Sequence, residues 1–160
     1  MIVRIKMLGL CMLLISLAVV GCGRESAENH SIDQTSPRSS VMSLYQAIND
    51  GNLQAMKTLL DPDDDANQKA LNGFQKALAD GIQFEITEVL IDVAEETDEF
   101  ARIQTTARQV VRHNGEIRSN STTGDYLSLI KKDNKWYFIG FGQWPPPGWI
   151  VEPSNLTPAP

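Results

Sequence analysis

The apolar residues of this chain change their spacing at Gly81, and that change limits the folds open to it. Before Gly81 they recur at helical steps; after it they alternate. Helices followed by strands in successive hairpins make an α+β domain. Ser39 or Ser40 is a cap for a first helix, with Pro37 stopping anything earlier. Val41, Leu44, Tyr45 and Ile48 then share one helical face. Asp50-Gly51 ends it, and Asn52 caps a second helix that turns Leu53, Met56, Leu59 and Leu60 inward. Asp61-Pro62 restarts the chain, because Pro suits a first helical turn. A third helix runs to about Asp80, with Ala70, Phe74 and Leu78 as its stripe and Ala66 and Ala77 alongside.

Past Gly81, Ile82, Phe84 and Ile86 alternate with polar neighbours, and Val89, Ile91 and Val93 alternate on the other parity. A slip of one residue at Glu88 turns the apolar set over unless a bulge absorbs it. The spacing predicts one long, bulged, bent strand. A charged turn at residues 95–98 leads to a second strand from Phe100 to about Arg112. Asn114-Gly115 is a hairpin signal. A third strand spans Glu116–Lys132, Asp133-Asn134 turns the chain, and Trp136–Phe141 is the last strand. The expected architecture is three N-terminal helices packed on a strongly bent, cone-like antiparallel sheet of about four long strands. Phe74, Leu78, Ile86, Ile103, Leu129, Trp136 and Phe138 are its candidate core.

The N-terminus has a different character. Met1–Lys6 carry two positive charges and no acid, Met7–Val20 are almost wholly apolar, and Val19-Val20-Gly21 is a small-residue exit. The apolar run is about 14 residues, whereas a helix crossing the hydrocarbon needs roughly 20. Val19-Val20-Gly21-Cys22 resembles the lipobox of bacterial lipoproteins. That resemblance implies cleavage before Cys22, a diacylglycerol on its sulfur, and attachment to the cell membrane or outer membrane facing periplasm or exterior. Cys11 would leave with the signal, so no thiol would remain for a disulfide, a metal or a nucleophile. Arg4 and Lys6 would leave too, taking the formal charge from −6 to −8. Such a chain is a poor nucleic-acid ligand, because that affinity rests on Lys and Arg. The expected divisions are a signal at 1–21, a flexible tether at 22–38, one domain at 39–151 and a disordered tail at 152–160.

Two stretches carry a second resemblance. VMSLYQAINDGNLQAMKTLLDPD looks like the first helical pair of the nuclear transport factor 2-like (cystatin-like) superfamily. YLSLIKKDNKWYFIGF looks like its final hairpin. The likeness covers about residues 39–142 and is strongest to small bacterial lipoproteins, the lumazine-binding-like ones included. It implies a cone-shaped fold, and the superfamily holds isomerases, cyclases and dehydratases beside members with no catalytic role. Fold alone does not select among these.

No catalytic constellation is legible. An isomerase-like member needs a carboxylate inside an apolar cone and a donor opposite it. Tyr45 is a candidate donor, though it lies on the face any core would use. Asp125 precedes Tyr126; with Tyr126 turned inward, alternation turns Asp125 out. Asp92 falls opposite Ile91 and Val93 in the same way. His30 lies in the tether and His113 at a hairpin tip. Asp61, Asp63, Asp65 and Asn67 imitate an EF-hand series, but Ala66 and Asn72 stand where Gly and a bidentate Glu belong. They read better as a cap and acidic first turn. Trp144-Pro145-Pro146-Pro147-Gly148-Trp149 either caps its own core or offers a polyproline ligand to a partner's groove. The expected role is a non-catalytic binding or scaffolding module of the envelope, with no cofactor and no metal. Its partners would be the membrane, through Cys22, and an envelope protein or small apolar ligand. Tyr126, Trp144 and Trp149 are the candidate binding surface. The alternative is an isomerase, cyclase or dehydratase-type enzyme using the cone.

Overall fold

The computed structural model describes residues 31–142. Three helices, α1 Pro37–Asn49, α2 Leu53–Leu59 and α3 Asp65–Ala79, precede four strands. These are β1 Ile82–Glu96, β2 Phe100–His113, β3 Glu116–Lys132 and β4 Lys135–Ile139. The strands form one antiparallel sheet in chain order, curved and open, with the helices packed on it. Among the described residues no helix is long and apolar enough to cross a membrane.

The slip expected at Glu88 is a bulge. Glu88 takes φ +53°, and the register with β2 jumps from Thr87–Arg108 to Leu90–Thr106. A second shift follows between Val93 and Glu95. The first bulge returns Val89, Ile91 and Val93 to the face that carries Ile82, Phe84 and Ile86, so one strand keeps its apolar side inward through the bend. The other two hairpins close on Asn114-Gly115 and Asp133-Asn134, whose residues all have positive φ. That is the backbone a two-residue hairpin turn requires.

Four boundaries differ from the expectation. The first helix begins at Pro37, not beyond it. Ser36 is its cap, accepting from the Ser39 N–H at 3.1 Å while Ser39 Oγ accepts from the Ser36 N–H at 3.1 Å. Pro at the first helical position lacks only an N–H that the helix would not have bonded. The expected tether therefore ends before residue 38. Gln34 is buried, its carbonyl accepting from Trp136 N–H at 3.0 Å and its Nε2 donating to Trp136 O at 2.9 Å. The third helix is capped by Asp64, not by Asp61-Pro62. Asp61 is instead held elsewhere: its N–H donates to Phe138 O at 2.9 Å and its carboxylate takes Lys132 Nζ at 2.9 Å. The last strand stops at Ile139, ahead of a left-handed Gly140. The outer end of the domain and the tail, expected at 151 and 152–160, lie outside the described residues, as does the signal segment.

The core lies between helices and sheet. Phe74, Ile86, Ile103, Leu129, Trp136 and Phe138 are buried there as expected. Leu78 is not. It is only half-buried, because the inward stripe of α3 runs Asn67, Ala70, Leu71, Phe74, Ala77 and carries Leu78 to its margin. Each sheet edge is covered in part. The Asn49 side chain exchanges two hydrogen bonds with the Ile86 backbone, 2.9 and 2.6 Å, and Arg38 donates to Ile91 O at 2.7 Å. At the other edge Leu60 bridges Phe138 and Gln34 bonds Trp136. Such cover interrupts the template for edge-to-edge pairing where it falls.

Candidate functional site

The inner face of β2 carries residues of odd number: Ala101, Ile103, Thr105, Ala107, Gln109 and Val111, all buried. Residues directly opposite in an antiparallel pair share a face. The register sets Leu129 against Ala101, Leu127 against Ile103, Asp125 against Thr105, Thr123 against Ala107 and Ser121 against Gln109. Asp125 therefore faces inward, toward the helices. This corrects the expected parity. Leu127 and Leu129 define the inner phase of β3, and Tyr126 falls on the outer one. Its ring is exposed, with the Arg102 guanidinium 4.7 Å from its centroid. A cation over that ring makes the outer position favourable for a residue whose apolar bulk suggests a core.

The inner face thus changes character along β2. Near the β1–β2 turn it is aliphatic. At Thr105 it becomes polar. The Tyr45 hydroxyl, buried under α1, donates to Thr105 Oγ1 at 2.8 Å. Thr105 Oγ1 in turn approaches the Asp125 carbonyl at 3.4 Å. Burial pushes the Tyr45 phenol above its ordinary range, and the negative charge of Asp125 adds to the rise. The Asp125 side chain reaches solvent at the rim, yet loss of hydration raises its carboxyl as well. Deeper in, Gln109 is 4% exposed and its Oε1 has no hydrogen-bond partner. Thr123 Oγ1, also buried, has none either. Between them lies the small Ala107. Ala107 and Gln109 on β2 are buried while Ser121 and Asp125 on β3 are exposed, so β3 forms the margin of this face.

A buried polar atom without a partner is uncommon in native proteins and asks for a reason. Here two sit within one patch of sheet beside a carboxylate that no described side chain pairs. Thr105 and Gln109 occupy the apolar phase of an alternating strand, and that is the sequence signal which could have disclosed them.

The other candidates go elsewhere. Asp92 pairs with Gln104 on the outer face and is exposed, as its parity required. His113 is half-buried at the β2–β3 tip, with Nε2 3.3 Å from Asn114 Nδ2. It stands eight residues along β2 from Thr105, roughly 26 Å. The acidic series at 61–65 holds a cation of its own chain: Lys132 Nζ lies 2.9 Å from both Asp61 oxygens and 3.1 Å from Asp63. These contacts hold the ammonium charged beyond the ordinary lysine range. Asp64 caps α3 and accepts from the Gly140 N–H. Among the described residues no group of three His, Cys, Asp or Glu is placed to hold a metal ion. Cys22, His30, Trp144 and Trp149 lie outside the described residues.

No family model matches the chain, and no curated protein matches it. Solved structures do. A SEC-C motif containing protein from Rhodopseudomonas palustris is 16% identical, with 66% of this chain and 76% of that one covered at a TM-score of 0.50. An inferred calcium/calmodulin-dependent protein kinase type II association domain from Thiobacillus denitrificans is 10% identical, with 65% and 90% covered at 0.51. A dehydratase so assigned within the NTF2-like family, from Streptomyces avermitilis, is 17% identical, with 62% and 85% covered at 0.48. At such identities the likeness is one of fold: helices over a curved antiparallel sheet.

Proposed function

We propose that this domain is a non-catalytic binding module that takes a small ligand on its concave face and is held at an envelope membrane through lipid on Cys22. The observation that carries the binding half is the pair of unpartnered buried atoms, Gln109 Oε1 and Thr123 Oγ1, beside the unpaired Asp125. Polar groups that hold a fold are satisfied; these are left open at a cost to the empty domain. Gln109→Leu should therefore stabilise the ligand-free protein, by about 1–2 kcal/mol in urea unfolding. Asp125→Asn should raise thermal stability at neutral pH as well. The sign follows from the raised carboxyl: the folded state holds its proton more tightly, so stability falls as pH climbs from the unfolded value, ~3.9, through the folded one. The gain from Asp125→Asn should vanish at pH 3. Loss of stability in both variants at neutral pH would mean that these groups serve the fold.

The anchor rests on the lipobox and on an apolar run too short to span. Cys22→Ser should abolish labelling by an alkyne fatty acid and leave an uncut precursor. Unchanged labelling would remove the membrane from this reading.

One observation favours the enzyme alternative: Asp125 faces the same hollow as Tyr45. Against it, the Tyr45 proton is committed to Thr105, and a general acid–base mechanism needs a group in reach of the substrate proton. Exchange of a carbonyl ligand's α-proton that disappears in Asp125→Asn would make the domain an enzyme.

A further inference from the structure

We infer that the free edge of β3 pairs with the same edge of a second copy of this chain, antiparallel about a two-fold axis at Thr122, so that two sheets become one. The inference goes beyond the binding role of the inner face and does not depend on it. Three observations carry it.

The first is an unfinished ladder. β4 pairs with Ser128–Lys132 and stops there, while β3 runs on from Leu127 back to Glu116 with no described strand on that side. The turn decides which backbone groups face that side. A two-residue hairpin is closed by a hydrogen-bonded pair, here Lys132 and Lys135. Hydrogen-bonded positions alternate along an antiparallel strand. Ile130 and Ser128 therefore bond β4, and Tyr126, Gly124, Thr122 and Asn120 turn their N–H and C=O groups to the side that β4 has left. All four residues are exposed, and among the described residues none bonds those backbone groups.

The second is the want of protection. Edges that stay single carry Lys, Pro, a bulge or an inward charge. Glu116–Leu127 holds no Lys and no Pro. Its bulge at Arg118 and its inward charge at Asp125 stand at the two ends. Between them Ser119–Gly124 holds no charge at all.

The third is self-complementarity. The register with β2 passes from Ser119 opposite Val111 to Ile117 opposite Arg112, so Arg118 is the extra residue of the bulge. With Arg118 set aside, Ser121, Asn120 and Ser119 separate Thr122 from Ile117. Thr123, Gly124 and Asp125 separate it from Tyr126. Ile117 and Tyr126 thus stand equally far from Thr122, on the same outer face, and they are 55% and 58% exposed. A two-fold at Thr122 lays Ile117 against Tyr126 of the second copy, and the reverse. Pairs of a β-branched and an aromatic side chain stabilise neighbouring strands. The same axis sets Asp125 opposite Ser119 of the second copy, beside Arg118. An axis at Gly124 would instead draw the two Asp125 carboxylates together and leave Ile117 unmatched. One strand pair is a small interface, so the dimer should be reversible and is best trapped covalently.

The test uses the full chain in the membranes of cells that express it, oxidised with copper phenanthroline and resolved without reductant. Thr122→Cys, at the axis, should give a disulfide-linked dimer beyond any formed by the parent chain through Cys11 or Cys22. Opposed Cα atoms of a hydrogen-bonded pair lie about 5.5 Å apart, within reach of a disulfide. Asp92→Cys, also exposed but on the outer face of β1, should give none. Adding Tyr126→Glu to Thr122→Cys should cut the dimer about tenfold, since two cross-strand pairs are lost. Adding Ile117→Lys as well should restore it, because the two positions are too far apart along one strand to meet except across the axis. No dimer from Thr122→Cys, or as much from Asp92→Cys by chance encounter, would overturn the pairing. So would a dimer that Tyr126→Glu leaves unchanged, or a charge pair that restores nothing. Capture of a different protein by Thr122→Cys would overturn the second copy as occupant of this edge.

Discussion

Phe74→Ala is expected to cost the domain about 3–5 kcal/mol, the usual loss for a fully buried aromatic ring. Phe74 is 0% exposed and stacks on Phe84, with ring centroids 5.6 Å apart and planes 28° apart. That contact ties the middle of α3 to the first straight half of β1. The rest of the attachment between helices and sheet is aliphatic: Leu44 and Ile48 from α1, Met56 and Leu59 from α2, all wholly buried. Removing the ring leaves a cavity walled by helix and strand, which cannot collapse without shearing one on the other. A domain of this size has a net stability of only ~5–15 kcal/mol, so the variant would retain a small margin at 25 °C. The urea midpoint should fall with little change in slope. A loss below ~1 kcal/mol would place the ring at the periphery and dissolve this account of how α3 is held.

Much of the fold can be read from local chemistry. Asn114-Gly115 and Asp133-Asn134 are turns by residue type alone. Glu88 betrays its bulge because the apolar phase inverts around it. What could not be read depends on partners far along the chain. Asp61 looks like a helix cap until Lys132, 71 residues away, pairs with it. Gln34 looks like tether until the edge of β4 is there to receive it. The inward side of Asp125 is legible as well. Leu127 and Leu129 fix the inner phase of β3, whereas taking that phase from the aromatic Tyr126 turns the carboxylate out. Tyr126 can stand outside because Arg102 covers its ring. The candidate site follows from that single change of parity. With Asp125 inward, Thr105 and Gln109 cease to be isolated polar residues on a strand and become the floor of one polar patch.

A second large loss is expected at Asn67, where the fold spends a buried amide on closing its sheet. Asn67 is 0% exposed. Its Nδ2 donates to Asp61 O at 3.1 Å and to Phe138 O at 2.8 Å, and its Oδ1 accepts from the Phe141 N–H at 3.2 Å. One side chain thus joins the α2–α3 loop to the end of β4. Asn67→Ala removes three hydrogen bonds, two of them buried, and leaves the Phe141 N–H without that acceptor. At roughly 1 kcal/mol net for each bond, the loss should reach about 3 kcal/mol. Asn67→Asp separates hydrogen bonding from volume. It keeps the acceptor for Phe141 but sets a carboxylate against two carbonyl oxygens in a fully buried site. Its carboxyl should be raised by both burial and those oxygens, so the folded state would hold the proton more tightly than the unfolded one. The variant should therefore be markedly unstable at neutral pH and recover as pH falls toward the unfolded value, ~3.9, where the protonated acid donates again. Thermal unfolding of Asn67→Asp between pH 7 and pH 4 reads this directly. A flat profile would show that the amide donors are dispensable, and that Leu60 and Asp61 hold β4 through the backbone alone.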